Sequence, residues 1–135
     1  MIRKGTYVLA VTLGSPADIR VGALGILHFD PGLYIYVGSA MGGLDQRLSR
    51  HLRRDKPLRW HIDYLTSAAD SAEAFESYPD FIPECELARM AEASGMVPAA
   101  KGFGCSDCSC PTHLFRATAG QLAALVSSAG MARFR

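Results

Sequence analysis

Long apolar runs, a strong charge of one sign, internal repeats and low-complexity segments are all missing from this 135-residue chain. Nothing approaches the ~20 consecutive apolar residues a membrane-spanning helix needs, so no membrane association is expected. The apolar stretch after Arg3 and Lys4 is interrupted by Thr12, Gly14 and Pro16 and has no cleavage-type ending, which argues against a secretory signal and for a cytoplasmic protein. A formal net charge of +1 excludes the global basic field that would announce a nucleic-acid binder from composition alone. The chain has only four cysteines. In a cytoplasmic setting they favour reduced thiols or a metal over a disulfide framework. Without a linker, one domain over 1–135 is expected, with its core over 5–117 and a final helix over 119–128.

What is present suffices for a proper core, since 49% of residues are apolar and 20% charged. The charge is unevenly placed. Between Met41 and Trp60 stand Arg47, Arg50, Arg53, Arg54, Lys56 and Arg59 against Asp45 and Asp55. The run from Asp70 to Glu92 is acidic, with Glu73, Glu76, Asp80, Glu84, Glu86 and Glu92. Any nucleic acid would therefore lie along the basic stretch.

That stretch grows out of residues 33–52, LYIYVGSAMGGLDQRLSRHL. Leu33, Ile35 and Val37 alternate with Tyr34 and Tyr36, the signature of a strand with both tyrosines on one face. Gly38, Ser39, Ala40 and the Gly42-Gly43 pair turn the chain into a helix whose inner stripe is Leu44, Leu48 and Leu52. Arg47 and His51 lie beside the stripe, one turn apart. A strand-end tyrosine, a glycine that admits a close backbone and a helical arginine can together hold a phosphodiester.

Elsewhere the pattern predicts strands over 6–11, 20–29 and 73–78 and a last strand over 113–117. The first three strands read as an antiparallel meander that brings Tyr7 near Tyr36. Pro57 stops the first helix near residue 55, and a second helical segment begins near Leu58. Pro83 opens a helix over 84–94, and Thr118-x-x-Gln121 is a capping box for the final helix.

Gly5-Thr6-Tyr7 and Tyr36-Val37-Gly38-Ser39-Ala40, followed by Arg47 and His51, resemble the signature of the GIY-YIG (Uri) nuclease superfamily. Trp60-His61-Ile62-Asp63-Tyr64-Leu65, Glu84-Cys85-Glu86-Leu87 and residues 106–115, SDCSCPTHLF, resemble its small stand-alone DUF123-type branch. The resemblance implies an α+β fold, a small central antiparallel three-stranded sheet flanked by helices. It also implies an endonuclease that hydrolyses DNA phosphodiesters with Mg²⁺ or Mn²⁺ and takes no nucleotide cofactor. Tyr7 or Tyr36 would assist the attacking water, Arg47 would stabilise the phosphorane and His51 would shuttle a proton or contact phosphate. Arg50 is the fallback for Arg47. Gly38, Arg50, Arg53, Arg54 and Arg59 would meet the nucleic-acid backbone, giving affinity that falls with salt and reads no bases. Without a reader domain, selectivity would come from DNA shape or from a partner such as a repair or recombination protein.

One carboxylate with substrate oxygens and waters suffices for Mg²⁺. Glu84 and Glu86 are the candidates. Glu84 is chosen because Leu87 and Ala88 follow at helical spacing, whereas Glu86 faces Arg89. Cys105, Cys108, Cys110 and His113 match structural Zn²⁺ chemically, though their tight spacing leaves a polar loop or packed thiols as rival readings. His61 with Asp63 or Tyr64 reads as a structural hydrogen-bond network, as does His28. A rival for the whole chain is a non-catalytic module binding nucleic acid or protein. A third reading makes the cysteine loop a redox or metal sensor.

Overall fold

The computed structural model describes residues 2–105 and 110–134. Cys108 lies outside them. In chain order the described elements are β1 (Gly5–Leu13), β2 (Ala17–Arg20), β3 (Ile26–Phe29), β4 (Gly32–Ala40), α1 (Leu44–Leu52), α2 (His61–Ala68), β5 (Ser71–Ser77), α3 (Glu84–Ala93), β6 (Val97–Pro98), β7 (Leu114–Ala117), α4 (Ala119–Ser128) and β8 (Ala132–Arg133).

The architecture is α+β. One antiparallel sheet runs β6-β7-β4-β1-β5-β8, and β2 pairs with β3 in a separate hairpin. The sheet is therefore twice as wide as the expected three strands, with β4, β1 and β5 at its centre. In β1 every residue but Thr12 is buried. It reads as a near-continuous apolar run because both of its faces are covered. Tyr7, Leu9 and Val11 on β1 and Tyr34 and Tyr36 on β4 pack with Leu44, Leu48, Ile62 and Leu65 of α1 and α2. Val8, Ala10, Ile35 and Val37 point the other way, onto Leu87, Ala88 and Ala91 of α3 and Leu125 of α4. A residue step along the strand thus chooses between two cores.

The second strand is where the expectation fails. Gly22 (φ 48°) and Gly25 (φ 81°) bend the chain through a short 3₁₀ turn. The run over 20–29 is consequently split between the end of β2 and β3, whose hairpin covers the first core with Val21 and Phe29. β1 and β4 then pair directly, from Gly5↔Ala40 to Leu13↔Gly32. This juxtaposes the two tyrosine-bearing strands without an intervening one.

α1 also departs from its predicted stripe. Leu44 and Leu48 are fully buried, but Leu52 is 37% exposed and His51 is 2% exposed in the position facing the sheet. The helix stops at Leu52 because Arg53 turns extended, several residues before Pro57. At the other end of the chain the capping box forms as read. The Gln121 N–H donates to Thr118 Oγ1 at 3.1 Å and the Thr118 N–H to Gln121 Oε1 at 3.0 Å. No helix among the described residues is long and apolar enough to cross a membrane.

Candidate functional site

A cleft of about 540 Å³ is lined by Tyr7, Tyr36, Arg47, His51, Arg59, Trp60, His61, Glu84 and His113, among others. Its floor is the tyrosine pair. Tyr7 stands opposite Gly38 and Tyr36 opposite Leu9 in the β1–β4 ladder, and the rings lie 6.4 Å apart, tilted by 47°. Two glycines make this arrangement possible. A Cβ on Gly38 would fall inside the van der Waals shell of Tyr7 Cζ and Oη. A Cβ on Gly104, already at φ +74°, would sit 2.8 Å from Tyr36 Cε1. Gly38 was expected to admit a phosphate backbone, but the space above it belongs to Tyr7.

Behind Tyr7 lies a chain of buried polar groups. Its hydroxyl is 2.8 Å from His51 Nε2. On the far side of the ring, His51 Nδ1 stands 4.0 Å from Asp63 Oδ1 and has no hydrogen-bond partner among the described residues. Asp63, fully buried, is held by Arg50 through two bonds of 2.8 and 3.0 Å and by the N–H groups of Arg59 and Trp60, each at 2.8 Å. A proton on Nδ1 faces that carboxylate favourably, whereas a lone pair there would be repelled. The favoured arrangement has Tyr7 O–H donating to Nε2 of a neutral His51.

The electrostatics agree with this proton placement. Burial pushes the His51 pKa down to about 3, opposed by Asp63 and reinforced by Lys56, Arg47 and Arg50. Burial raises the Tyr7 hydroxyl above the usual phenol range, and the Arg47 guanidinium beside it works against that rise. Tyr36 is raised by burial and then by Tyr7. Burial alone would lift Asp63, but the Arg50 pair and the two backbone donors keep it below the ordinary carboxylate range. At neutral pH the cleft therefore holds protonated tyrosines, a neutral imidazole and an ionised carboxylate behind it.

The walls are cationic. Arg47 donates to the Ser39 carbonyl at 3.0 Å and stacks over Trp60 at 4.5 Å. Arg50 stacks on the same ring at 4.4 Å, yet its donors go to Asp63 and to the Pro57 carbonyl at 2.7 Å. It organises the buried network and does not line the cleft, which corrects its expected role as a phosphate contact. Arg59 is exposed and lines the cleft. Arg53 and Arg54 are exposed beyond its rim, and Arg54 donates to the Ala69 carbonyl. The Gly104 N–H donates to His61 Nδ1 at 2.9 Å. In the neutral ring this leaves the proton on Nε2, making His61 a donor on the cleft wall.

Glu84 enters from α3, its side chain 29% exposed and its Oε2 3.6 Å from His113 Nδ1. The next residue, Cys85, has its sulfur in a cluster with Cys110 and His113. One ligand atom from each lies within 4.8 Å of the others, so the three could hold a metal ion. Cys105 is not in this cluster, and its Sγ lies 3.5 Å from the Phe103 carbonyl. The donor set thus differs from the loop quartet expected from sequence.

The structure brings Tyr7, Tyr36, Arg47, His51, Arg59 and Glu84 to one cleft, together with Trp60 and His61. Asp63 was legible as a network member, but its partner is Arg50. Cys85 went unread, for a cysteine on a helix reveals no distant ligand partner. Fold and site define an α+β domain with a cationic, tyrosine-floored cleft over one face of an antiparallel sheet. The chain belongs to the family described as Domain of unknown function DUF123, whose model matches residues 6–133. No curated protein and no solved structure matches it.

Proposed function

We propose that the cleft hydrolyses DNA phosphodiester bonds in the manner of GIY-YIG endonucleases, with a divalent cation and with selectivity for DNA shape or a directing partner. The observation that carries this reading is the convergence of Tyr7, Tyr36, Arg47, His51 and Glu84, from four different elements, on one cleft. Such a set supplies a tyrosine fixed by a histidine to orient water, a guanidinium for phosphate oxygens and a hard carboxylate.

Glu84 fits an Mg²⁺ or Mn²⁺ ion because a single partly exposed carboxylate on the cleft wall leaves room for water and substrate oxygens. When bound, such an ion neutralises charge on a non-bridging oxygen and stabilises the leaving oxygen. The chain's own residues do the rest. Tyr7, its O–H directed at His51 Nε2, accepts a hydrogen bond from the attacking water and orients it, and the water's proton leaves to solvent. Asp63 holds His51 in the tautomer that accepts from Tyr7, and Arg47 bonds the equatorial phosphate oxygens as negative charge grows there. Tyr36 and Trp60 hold the scissile group against that guanidinium, and Arg59 with Arg53 meets flanking phosphates. A phenol of raised pKa and an imidazole of lowered pKa are both poor bases, so Tyr7 and His51 act by orienting the water and not by keeping its proton.

The test is cleavage of duplex, single-stranded, flapped and branched DNAs with and without Mg²⁺ or Mn²⁺. Metal-dependent cutting is expected, falling by about 10²-fold or more in Glu84→Gln and Tyr7→Phe. DNA binding without cutting by the natural protein, across metals and substrates, would overturn the enzymatic reading in favour of a non-catalytic binding module.

A further inference from the structure

We propose that Cys85, Cys110 and His113 form a zinc site that fastens the chain entering β7 to the first turn of α3. This goes beyond the nuclease reading and does not depend on it. The donors come from two parts of the chain that are otherwise separate, Cys85 from α3 and the other two from the loop before β7. Their ligand atoms lie within 4.8 Å of one another. Tetrahedral zinc, with Zn–S of about 2.3 Å and Zn–N of about 2.0 Å, needs ligand atoms roughly 3.5 Å apart. Small rotations of three side chains close that difference.

The chemistry selects the ion. Two thiolates and an imidazole are soft to borderline donors, suited to zinc and unsuited to the oxygen-seeking Mg²⁺ expected at Glu84. The scaffold is already set for binding. His113 is anchored by its own N–H to the Phe103 carbonyl at 2.9 Å and by its carbonyl to the Val37 N–H at 3.0 Å. The Gly102 N–H bonds the Pro111 carbonyl, next to Cys110, at 2.7 Å. His113 is buried, so its ring is held in place by its surroundings.

An ion there has a consequence for the cleft. Cys85 is the neighbour of Glu84, and His113 lines the cleft beside it. Fixing the sulfur therefore fixes the helical turn that presents the carboxylate. The three donors leave a fourth position for a water.

Metal analysis of the natural protein, purified without chelator or added metal, should find about one zinc per chain. Cobalt exchange should give thiolate-to-cobalt charge transfer in the near ultraviolet with tetrahedral d–d bands. Cys85→Ser and Cys110→Ser should each lower retained zinc by about tenfold or more after dialysis, and Cys105→Ser should retain it. Because a serine variant could lose zinc by failing to fold, circular dichroism accompanies each one and Cys85→His is made alongside. That variant restores a donor and should recover zinc with a weaker charge-transfer band. A natural protein without zinc or a thiolate–cobalt spectrum, full zinc retention in Cys85→Ser, or a folded but metal-free Cys85→His would each overturn the site.

Discussion

On the α3 and α4 side the sheet presents Val8, Ala10, Ile35 and Val37, which pack on Leu87, Ala88, Ala91 and Leu125. On the α1 and α2 side it presents Tyr7, Leu9, Tyr34 and Tyr36, and His51 and Asp63 are buried close by. The same strands build both faces, so propensity and pairing are shared and only side-chain parity differs. Non-directional burial holds the first face. On the second, each buried polar group depends on the group behind it: Tyr7 on His51, His51 on Asp63, Asp63 on Arg50. Chemistry is concentrated where that dependence lies.

Breaking the polar chain should therefore cost more than opening a hole in the apolar face. Asp63→Ala leaves the Arg50 guanidinium, whose side chain is 17% exposed, without its partner and should destabilise the fold by about 4 kcal/mol, read by urea denaturation. Leu125→Ala, in the opposite core, should cost about 3 kcal/mol. The two variants should separate in the cleft. Under conditions where both are folded, the proposed nuclease function requires Leu125→Ala to keep the DNA affinity and cleavage of the natural protein and Asp63→Ala to lose them. Equal damage to the cleft from both would dissolve the distinction between the faces.

The two faces were not equally legible. Alternation in 33–37 and the Gly42-Gly43 pair disclosed the strand, its tyrosines and the helix that follows, because those signals are local; the expected stop at Gly38 fails, since the strand runs on to Ala40. Leu52 was misplaced because a three-point leucine stripe says nothing about where the helix ends, and at its last turn His51 faces the sheet instead. The β2–β3 hairpin was read as one strand because Gly22 and Gly25 also suit a bulge. Arg50 looked like one more surface cation. Only the fold reveals the carboxylate 13 residues away that claims it. The Gly104–His61 bond and the Cys85 cluster join segments distant in sequence, and no local pattern encodes such pairs.

Gly38 sharpens the comparison within a single ladder position. An alanine there meets Tyr7, on the face carrying the cleft, and Tyr7 has little freedom because its hydroxyl is fixed by His51. Gly38→Ala should cost about 2 kcal/mol through overpacking. It should also displace the Tyr7–His51 bond, seen as a change in the His51 ring nitrogen resonances. Unchanged resonances would mean that the sheet yields and that Gly38 does not position Tyr7.

The remaining effect is the one that depends on pH, and it grows as pH falls. His51 is neutral in the folded protein, with a pKa of about 3, and titrates near 6.5 once unfolded. Between those values the unfolded chain holds the extra proton. The stability associated with a neutral His51 is therefore complete above about pH 6.5 and lost as pH falls toward 3, with a slope approaching 1.4 kcal/mol per pH unit. His61 and His113, also lowered by burial, add to the slope in the same direction. Comparing the natural protein with His51→Gln isolates the His51 share: the variant's stability should fall less steeply over that window. Leu125→Ala should move the whole curve down without changing its slope, since hydrocarbon burial does not titrate. Parallel curves for all three proteins would mean that His51 gains its proton in the folded state, and the Tyr7 O–H would then have no acceptor in His51 Nε2.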